Sequence, residues 1–499
     1  MLVKNCQKYP ENIIFGDSSE VLTGQETLDI VNKISLLISS SLDSTCSNVG
    51  IAILLPRNCM YLSSIFSIWQ LGHYFIPLND SWPEDHLINI LNTAMPDLVI
   101  SNRAITGFQT VALDKLDETT LPGLNEIKKW DKARVDAHLA YTIFTSGSTG
   151  QQKGVMISHN AYLAYIDWAK IYFDKFKNNE ALLITAELTF DITMGDIAFA
   201  LAHKTQIHVS PDPKNMFWHA QLIIDRKIDT FYSVPTTINR LFSWVKERED
   251  VDFSNIKLVV SGGDSFGPEL IELVKSLCPR SEFHNVYGPT EVTINCLAIR
   301  VDNLLSEIKN WSGLVPIGIP FPHLQTVLFS DEVLTDQNSG ELLVGGAQCM
   351  EGYVGDPNLT KKSFIDINGI SFYRTGDLVQ RNDKGYMFIE GRIDNLVKIK
   401  GYRINPMEID NIVAMCSNVK ETKTIVISKI SGESSLLCFY SCKDASYDVR
   451  EECREICSNN LPQYMVPDDF LQLESLPLGT SGKISQTKLK KLFIERYRK

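Results

Sequence analysis

The chain has 499 residues, of which 44% are hydrophobic and 22% charged, and its formal net charge is −12. A chain of this length exceeds one compact core, so about two to four domains are expected, and the negative charge argues against nucleic acid as a partner. The N-terminus lacks the apolar segment of a secretory signal, and the most apolar stretch, YLSSIFSIWQLGHYFIPL, is too short and too polar to cross a membrane. These features predict a cytoplasmic protein with neither nucleic acid nor a membrane as a partner.

Strand-like and helix-like runs alternate from Asn48 onward. NVGIAILLP, YFIPLND and DLVISN are typical of buried strands, and CMYLSSIFSIWQLG and PEDHLINILNTAMP, which lie between them, are typical of helices. The alternation resumes at AYLAYIDWAKIYF and continues to about residue 300. This order predicts an α/β fold with parallel or mixed sheets covered by helices.

The pattern changes twice in the remaining chain. LQTVLFSDE, SGELLVGG and the hairpin-like GDLVQRNDKGYMFIEGR, with its turn at residues 383–385, predict a β-rich subdomain. After Asp394 the strand-like runs TKTIVISK and LLCFYSC combine with helices in a compact α+β pattern. We therefore expect a large N-terminal domain over residues 1–393 and a small C-terminal domain over residues 394–499.

The 11 cysteines are scattered, which is typical of reduced thiols in a large chain. Cys438 and Cys442, followed by Cys453 and Cys457, have paired spacings that would also suit zinc. However, residues four apart in a strand lie about 13 Å from each other, too far to share a metal ion, and the second pair fits the apolar face of a helix. The sequence therefore favours buried thiols over a zinc site.

A loop of small and hydroxylated residues lies within YTIFTSGSTGQQKGVMISH, which begins at Tyr141. Apolar runs on both sides predict a strand-to-strand connection, in which glycines, hydroxyl groups and one lysine could surround a phosphate. Gln152 and Gly154 stand where the P-loop of kinases and GTPases has Gly and Ser or Thr, so this loop is of another kind. A plain glycine-rich turn is the alternative. The loop residues of interest are Thr145, Ser146, Gly147, Ser148, Thr149, Gly150 and Lys153.

Further polar stretches follow in the order LTFDIT, NVYGPTE, FYRTGD, GRIDNLVKIKGYR and GTSGKIS. Together with the loop, they resemble the adenylate-forming superfamily of acyl-CoA synthetases and luciferases over roughly residues 20–490. Within it, the chain is most similar to the amino-acid adenylation domains of nonribosomal peptide synthetases and to stand-alone D-alanine:carrier-protein ligases. The resemblance implies activation of an amino acid by ATP as aminoacyl-AMP with release of pyrophosphate, and then transfer to the phosphopantetheine thiol of a carrier protein.

The resemblance assigns ATP and Mg²⁺ to these motifs. The loop would hold the β- and γ-phosphates, Tyr287 would stack on adenine with Asn285 at the ring's edge, and the adjacent Gly288 would belong to the same site. Thr290 would contact the α-phosphate, and Glu291 would hold Mg²⁺. Asp377 would accept hydrogen bonds from the two ribose hydroxyls, assisted by Arg392.

The C-terminal domain would supply the remaining catalytic residues and would be mobile. By resemblance, Lys483 bridges the substrate carboxylate and the α-phosphate, a task that suits a long flexible ammonium. Lys483 must then leave before a carrier can approach, so we expect the domain to rotate about a hinge at Asp394. Lys398 belongs to the same catalytic set.

Asp191 of the FD motif would pair with the ammonium of the substrate, while an aspartate that caps a nearby helix is the alternative. Gly195 and Gly262 are expected to leave space, and Ser233 and Asn295 to offer hydrogen bonds. This set hints at a side chain that is larger than methyl and polar, with alanine and glycine as poorer substrates. The rest of the pocket implied by the resemblance is Ile192, Val260, Val286 and Ile294.

Other functions remain open. An acyl- or aryl-CoA ligase shares the fold but is disfavoured by Asp191. A D-alanine:carrier-protein ligase is a special case of amino-acid activation followed by transfer to a carrier protein. A catalytically silent binding protein would be expected to have lost Lys483, Glu291 or Asp377, all of which are present. Because the chain ends at Lys499, soon after Lys483, the carrier protein is expected to be a separate molecule.

Overall fold

The computed structural model describes residues 2–42, 48–114, 116, 138–146, 152–311, 315–330, 333–334, 338–393, 397–399, 401–428, 434–444, 446–477 and 484–497. The chain divides into two compact units. The first consists of Met1–Asp80, Thr93–Phe144 and Gly154–Ile393, and the second of Ser81–Asn92, Thr145–Lys153 and Asp394–Lys499. The hinge predicted at Asp394 lies outside the described residues and stays a prediction.

The strands of the described residues, in chain order, are β1 (Ile13–Gly16), β2 (Val21–Thr23), β3 (Gly50–Leu54), β4 (Tyr74–Pro77), β5 (Leu98–Ser101), β6 (Thr110–Val111), β7 (Leu139–Ser146), β8 (Gln152–Ser158), β9 (Ala181–Ile184), β10 (Gln206–Val209), β11 (Thr230–Ser233), β12 (Leu258–Gly262), β13 (Glu282–Tyr287), β14 (Leu297–Arg300), β15 (Ile319–Pro320), β16 (Leu324–Ser330), β17 (Val333–Leu334), β18 (Ser339–Gly346), β19 (Gly352–Tyr353), β20 (Phe364–Ile367), β21 (Ile370–Arg381), β22 (Met387–Arg392), β23 (Val397–Ile399), β24 (Tyr402–Ile404), β25 (Val419–Ser428), β26 (Ser434–Cys442) and β27 (Asp469–Gln472).

The α-helices of the same part of the chain are α1 (Leu2–Lys8), α2 (Gly24–Ser41), α3 (Cys59–Gln70), α4 (Glu84–Ala94), α5 (His159–Tyr172), α6 (Ile192–His203), α7 (Met216–Asp225), α8 (Pro235–Lys246), α9 (Pro268–Leu277), α10 (Leu305–Asn310), α11 (Pro357–Lys362), α12 (Pro406–Val413), α13 (Arg450–Asn460) and α14 (Gln486–Tyr497). None of these helices is both long and apolar enough to span a bilayer.

Three sheets are built from strands of the first unit. The largest has the order β15-β14-β13-β12-β11-β9-β10-β1-β2, with parallel pairing from β13 to β1 and antiparallel pairing at both edges. A second sheet has the order β19-β8-β7-β4-β3-β5-β6, and its strands β3 to β7 are parallel. The third, β17-β16-β18-β21-β20 with β22 on β21, is antiparallel. The predicted mixed α/β fold with a β-rich subdomain is confirmed.

Local signals explain where several helices of this unit begin. Before α2, the Thr23 hydroxyl accepts a hydrogen bond from the Glu26 backbone N–H (3.3 Å), and the Glu26 carboxylate accepts one from Thr23 N–H (2.8 Å), which is a capping box. Asn58 and Ser158 cap α3 and α5 with their side-chain oxygens. The apolar faces of these helices cover the sheets, so the strands between them are buried on both sides.

In the second unit, β25-β26-β27 form a three-stranded sheet and β23-β24 a two-stranded one. Cys438 and Cys442 lie in β26 and Cys453 and Cys457 in α13, where all four are buried free thiols of the unit's apolar core. Burial raises the pKa of Cys438 to about 12. These four cysteines form no group close enough to hold a metal ion. The structure thus bears out the interpretation as core thiols.

Candidate functional site

The carboxyl ends of three adjacent parallel strands carry four of the nine residues of the predicted pocket. Strands β11, β12 and β13 pair so that Ser233 lies beside Ser261, and Gly262 beside Val286. Because parallel strands end at the same edge of a sheet, segments that are distant in sequence meet there, as ligand sites of α/β proteins do. The candidate site is therefore centred on the edge where these three strands end.

Three residues predicted to bind ATP contact one another, although they come from separate motifs. The Tyr287 hydroxyl donates a hydrogen bond to Asp377 Oδ2, and Arg392 Nη1 donates one to Asp377 Oδ1. Asp377 in β21 and Arg392 in β22 are cross-strand neighbours. Burial, reinforced by the charge of Asp377, raises the pKa of the Tyr287 hydroxyl well above its usual range. The cluster therefore presents a neutral phenol and a carboxylate that is held by a guanidinium.

Asn285 and Gly288 flank this cluster. The Asn285 amide nitrogen donates to the carbonyl oxygen of Pro316 (2.8 Å), so its side-chain oxygen is the group left to accept hydrogen bonds. At Gly288, a methyl group would lie 2.4 Å from Cα of Asn295. Glycine is therefore required because the chain returns within contact distance at residues 294–295.

Glu291 lies in a short 3₁₀ helix, Thr290–Val292, directly after the strand that carries Tyr287. Its side chain is 0% exposed, and its Oε1 accepts a hydrogen bond from the Tyr353 hydroxyl (2.9 Å). Burial, together with the charge of Glu291, raises the pKa of Tyr353 far above its usual range, so the phenol stays a donor. The arrangement fixes one buried carboxylate beside the half-buried Thr290.

The glycine-rich segment is framed by strands, as predicted, but the strands extend further than expected. β7 ends at Ser146 and β8 begins at Gln152, so Thr145, Ser146 and Lys153 lie in strands instead of the loop. Thr145 Oγ1 is buried and has no hydrogen-bond partner among the described residues. In the second unit, the Gln152 side chain donates to Glu408 Oε1 (3.0 Å). The predicted site residues that lie outside the described part of the chain are Gly147, Ser148, Thr149, Gly150, Asp394 and Lys483, together with the side chains of Ser146 and Lys398.

Asp191 precedes the first residue of α6 but does not cap this helix with its side chain. Its backbone oxygen accepts hydrogen bonds from the N–H groups of Met194 (2.8 Å) and Gly195 (3.1 Å). Asp191 therefore occupies the N-cap position of α6, but its side chain does not make the capping hydrogen bond that the alternative interpretation requires. Burial, with a further contribution from the charge of Asp191, raises the pKa values of Tyr165 and Tyr232. The carboxylate thus acts on the tyrosines that surround the pocket.

The two pocket glycines lie against protein side chains. A methyl group at Gly195 would lie 2.6 Å from the Tyr232 ring, and one at Gly262 would lie 2.8 Å from Val286 Cγ2. At Gly262, Val286 occupies the volume that the glycine was expected to leave open, whereas Gly195 still lines a small cavity. The expected disadvantage of alanine and glycine as substrates stays a prediction.

The polar pocket residues are engaged with the protein itself. Ser233 accepts a hydrogen bond from the Thr185 hydroxyl (2.8 Å). The Asn295 amide nitrogen donates to the hydroxyls of Tyr165 (3.1 Å) and Tyr232 (2.8 Å), which orients both rings. Asn295 thus organises the pocket wall through its amide nitrogen, and its contact with the substrate stays a prediction. The remaining predicted pocket residues are all buried: Ile192, Val260, Val286 and Ile294.

Gln348 is a site residue that the motifs did not indicate. Thr293 and Ile294 have φ values of 51° and 74°, in the left-handed region that β-branched residues avoid. The fully buried Gln348 side chain donates to the carbonyl oxygen of Asn295 (2.8 Å), and its Oε1 contacts His323 (2.6 Å). Its own carbonyl oxygen accepts the Thr293 hydroxyl (2.6 Å). Gln348 therefore holds a strained segment that connects the predicted Mg²⁺ and substrate residues.

We expect Gln348→Leu to lower the free energy of unfolding by about 2–4 kcal/mol and to reduce catalysis by roughly 10²-fold, because the strained segment loses its donor and shifts. Gln70→Leu is the matched control, since Gln70 is also buried but bonds to Asn32, outside the site. Urea unfolding and ATP–pyrophosphate exchange measure the two effects. Equal exchange kinetics in the two variants would mean that Gln348 serves stability alone.

Comparison with known proteins agrees with this geometry. The family of AMP-binding enzymes matches residues 2–354. Gramicidin S synthase 2 of Brevibacillus brevis is 28% identical over 504 residues, covering 98% of this chain but only 11% of its own length. The dapdiamide synthesis protein DdaD of Enterobacter agglomerans is 30% identical over 499 residues, covering 98% of this chain and 81% of its own.

A solved structure has the same fold. The Vibrio cholerae adenylation domain AlmE, in complex with glycyl-adenosine-5'-phosphate, superimposes with a TM-score of 0.82 at 22% identity, covering 99% of this chain and 97% of its own. At that identity the likeness concerns the fold alone. The family match and the relatives lead to one conclusion: the chain belongs to the AMP-binding enzymes.

Proposed function

We propose that this enzyme activates an amino acid as aminoacyl-AMP, releases pyrophosphate, and transfers the aminoacyl group to the phosphopantetheine thiol of a separate carrier protein. The observation that carries the amino-acid part is Asp191, whose charge acts on Tyr165 and Tyr232, the two tyrosines that bond to the predicted pocket residue Asn295. A carboxylate in this position would pair with the ammonium of an amino acid. An acyl- or aryl-CoA ligase has no substrate ammonium to pair with such a group.

Four of the residues described above would bind the nucleotide. The ring of Tyr287 would stack on adenine, and the Asn285 side-chain oxygen would accept a hydrogen bond from the adenine amino group. Asp377 would accept the ribose hydroxyls while Arg392 keeps its carboxylate in place. These contacts hold the α-phosphate for in-line attack by the substrate carboxylate, and pyrophosphate leaves.

Glu291 and Thr290 would serve the phosphates. Mg²⁺ is commonly held in phosphoryl-transfer sites by one or two carboxylates together with the substrate's own phosphates. A single buried carboxylate, fixed by Tyr353, fits that pattern. Glu291 would hold the ion, which when bound offsets the negative charge of the phosphates, and Thr290 would donate to the α-phosphate.

The exchange of radioactive pyrophosphate into ATP tests the proposal. Purified enzyme is given Mg²⁺ and each of a panel of amino acids, with aliphatic and aromatic carboxylic acids as the competing class. The proposal requires at least one amino acid to support exchange better than its des-amino analogue. Exchange with carboxylic acids alone would assign the enzyme to the acyl- or aryl-CoA ligases, and a preference for D-alanine would identify the special case of a D-alanine:carrier-protein ligase.

Transfer to a carrier should depend on a hinge at Asp394, at the start of the C-terminal part of the second unit. Asp394→Pro fixes φ, so we expect it to slow carrier loading about tenfold or more while leaving pyrophosphate exchange near the wild-type rate. Single-turnover loading of a phosphopantetheinylated carrier measures this, with Asp394→Ala as the flexible control. If proline slowed both half-reactions equally, rotation about Asp394 would not be the step affected.

A further inference from the structure

A second carboxyl lies beside the pocket, one residue after Gly195 in α6. Asp196 is 2% exposed, and its Oδ2 is buried without a hydrogen-bond partner among the described residues. Groups of this kind are rare in folded proteins, because an unsatisfied buried carboxyl is costly. A hydrogen-bond donor from outside the described protein groups would satisfy Oδ2.

Asp196 lines a small cavity of about 20 Å³ in the first unit. Three residues that the proposed function places in the substrate pocket, Gly195, Val260 and Val286, line the same cavity, as does Tyr232. A volume of this size accepts about one water-sized group. The cavity is thus large enough for the end of a short side chain and too small for an aromatic ring.

Among the described residues, Arg57 is the cation whose charge acts on Asp196, and its Nε and Nη1 groups are bonded elsewhere. It donates to the carbonyl oxygens of Ala186 (2.8 Å) and Ser210 (2.9 Å). Burial raises the pKa of the Asp196 carboxyl well above its usual range, despite Arg57. A ligand group that donates a hydrogen bond would satisfy Oδ2, and a cationic group would also compensate the charge of the ionised form.

We infer that Asp196 is a specificity-determining residue that accepts a hydrogen bond from the end of the substrate's side chain. The substrate class is an amino acid with a short side chain that ends in a hydrogen-bond donor, the ammonium of a diamino acid being the best matched. Asp191 then pairs with the α-ammonium and Asp196 with the side chain. This inference rests on the proposed function and adds to it the class of amino acid.

Substrates whose side chains are equal in size separate the contribution of shape to selectivity from that of hydrogen bonding. 2,3-Diaminopropionate, serine and 2-aminobutyrate differ only in the terminal group, and so do 2,4-diaminobutyrate, homoserine and norvaline. With wild type, kcat/KM for exchange should favour a donor-bearing member over the apolar member of its set on the order of 10²–10⁴-fold. Asp196→Leu should reverse that preference, and Asp196→Asn should retain the hydroxyl substrates but lose the advantage of the ammonium ones.

Thr193→Val is the matched control, because Thr193 is a buried polar residue of the same helix whose hydroxyl bonds to Glu187 and which does not line the cavity. It should leave the order of substrates unchanged. Thermal unfolding supplies a readout apart from activity: Asp196→Leu should raise the midpoint, since it removes an unsatisfied carboxyl, whereas a residue with a structural role would lower it.

The outcomes distinguish the two proposals. Exchange that favours the apolar members in wild type, with an unchanged order in Asp196→Leu, overturns the role of Asp196 and leaves amino-acid activation intact. A lower midpoint in both Asp196 variants, with unchanged selectivity, shows a structural carboxyl and overturns it as well. Absence of exchange with every amino acid, while a carboxylic acid supports it, overturns the proposed function and this inference together.

Discussion

Replacing Lys483 with alanine is expected to lower amino-acid-dependent pyrophosphate exchange by about 10²–10³-fold, comparable to the loss of one preorganised transition-state donor. Attack of a carboxylate on the α-phosphate brings two anions together, and a lysine that contacts both offsets the repulsion in the transition state. The affinity for ATP, measured without amino acid, should change little, because the proposed contacts with the adenine ring and the ribose are made by Tyr287 and Asp377.

Two companion variants sharpen this result. Lys490→Ala removes an exposed ammonium from α14 in the same C-terminal segment and should leave exchange unchanged. Lys483→Arg keeps the charge but replaces a compact ammonium with a planar fork, so it should remain impaired. Exchange near the wild-type rate in Lys483→Ala would remove Lys483 from the reacting centre.

The sequence predicted the elements whose local signals agree with their tertiary surroundings. Buried parallel strands such as β3 (Gly50–Leu54) and β9 (Ala181–Ile184) are short apolar runs with turn residues on either side. The hairpin of β21 and β22 has its turn at Gly385, where φ is 82°, as the turn residues predicted. Helix α6 was not predicted, because it is buried nearly all round and shows no contrast between an apolar and a polar face.

The site was predictable to the extent that its chemistry resides in motifs. Tyr287, Asp377 and Arg392 were expected at one nucleotide, and the structure brings them into contact. The tyrosine that fills the space beside Gly195, and Gln348, which holds the strained segment, carry no local signature. A glutamine within GGAQCM is typical of an exposed turn, and only its complete burial distinguishes Gln348 from an ordinary turn residue. Roles of this kind depend on packing between segments that are distant in sequence. No spacing of residues in a single sequence reveals that packing.

Asp191→Ala is expected to weaken the productive binding of the preferred amino acid by about two to three and a half orders of magnitude. If the carboxylate meets the substrate ammonium in a closed pocket, truncation leaves a buried charge without its partner, which typically costs 3–5 kcal/mol. The wild-type enzyme should bind the des-amino analogue more weakly by a similar factor, because this analogue brings no ammonium to the Asp191 carboxylate. Asp225→Ala, which removes an exposed carboxylate from α7, is the control for a general effect of charge.

The four combinations of enzyme and substrate form a double-mutant cycle. Once either partner of the ion pair has been removed, removing the other should cost little, so the two losses in kcat/KM should not add. A buried pair behaves in this way because most of each single loss is the penalty for the charge that remains, and the second change relieves that penalty. Additive losses, or a wild-type preference for the des-amino acid, would instead place Asp191 away from the ammonium and assign the enzyme to the acyl or aryl ligases. Since Asp196 lies in α6 and Asp191 directly precedes this helix, repeating the cycle in Asp196→Leu tests whether the two carboxyls bind separate groups of the substrate. The coupling at Asp191 should then persist undiminished, because the α-ammonium is common to every substrate in the panel.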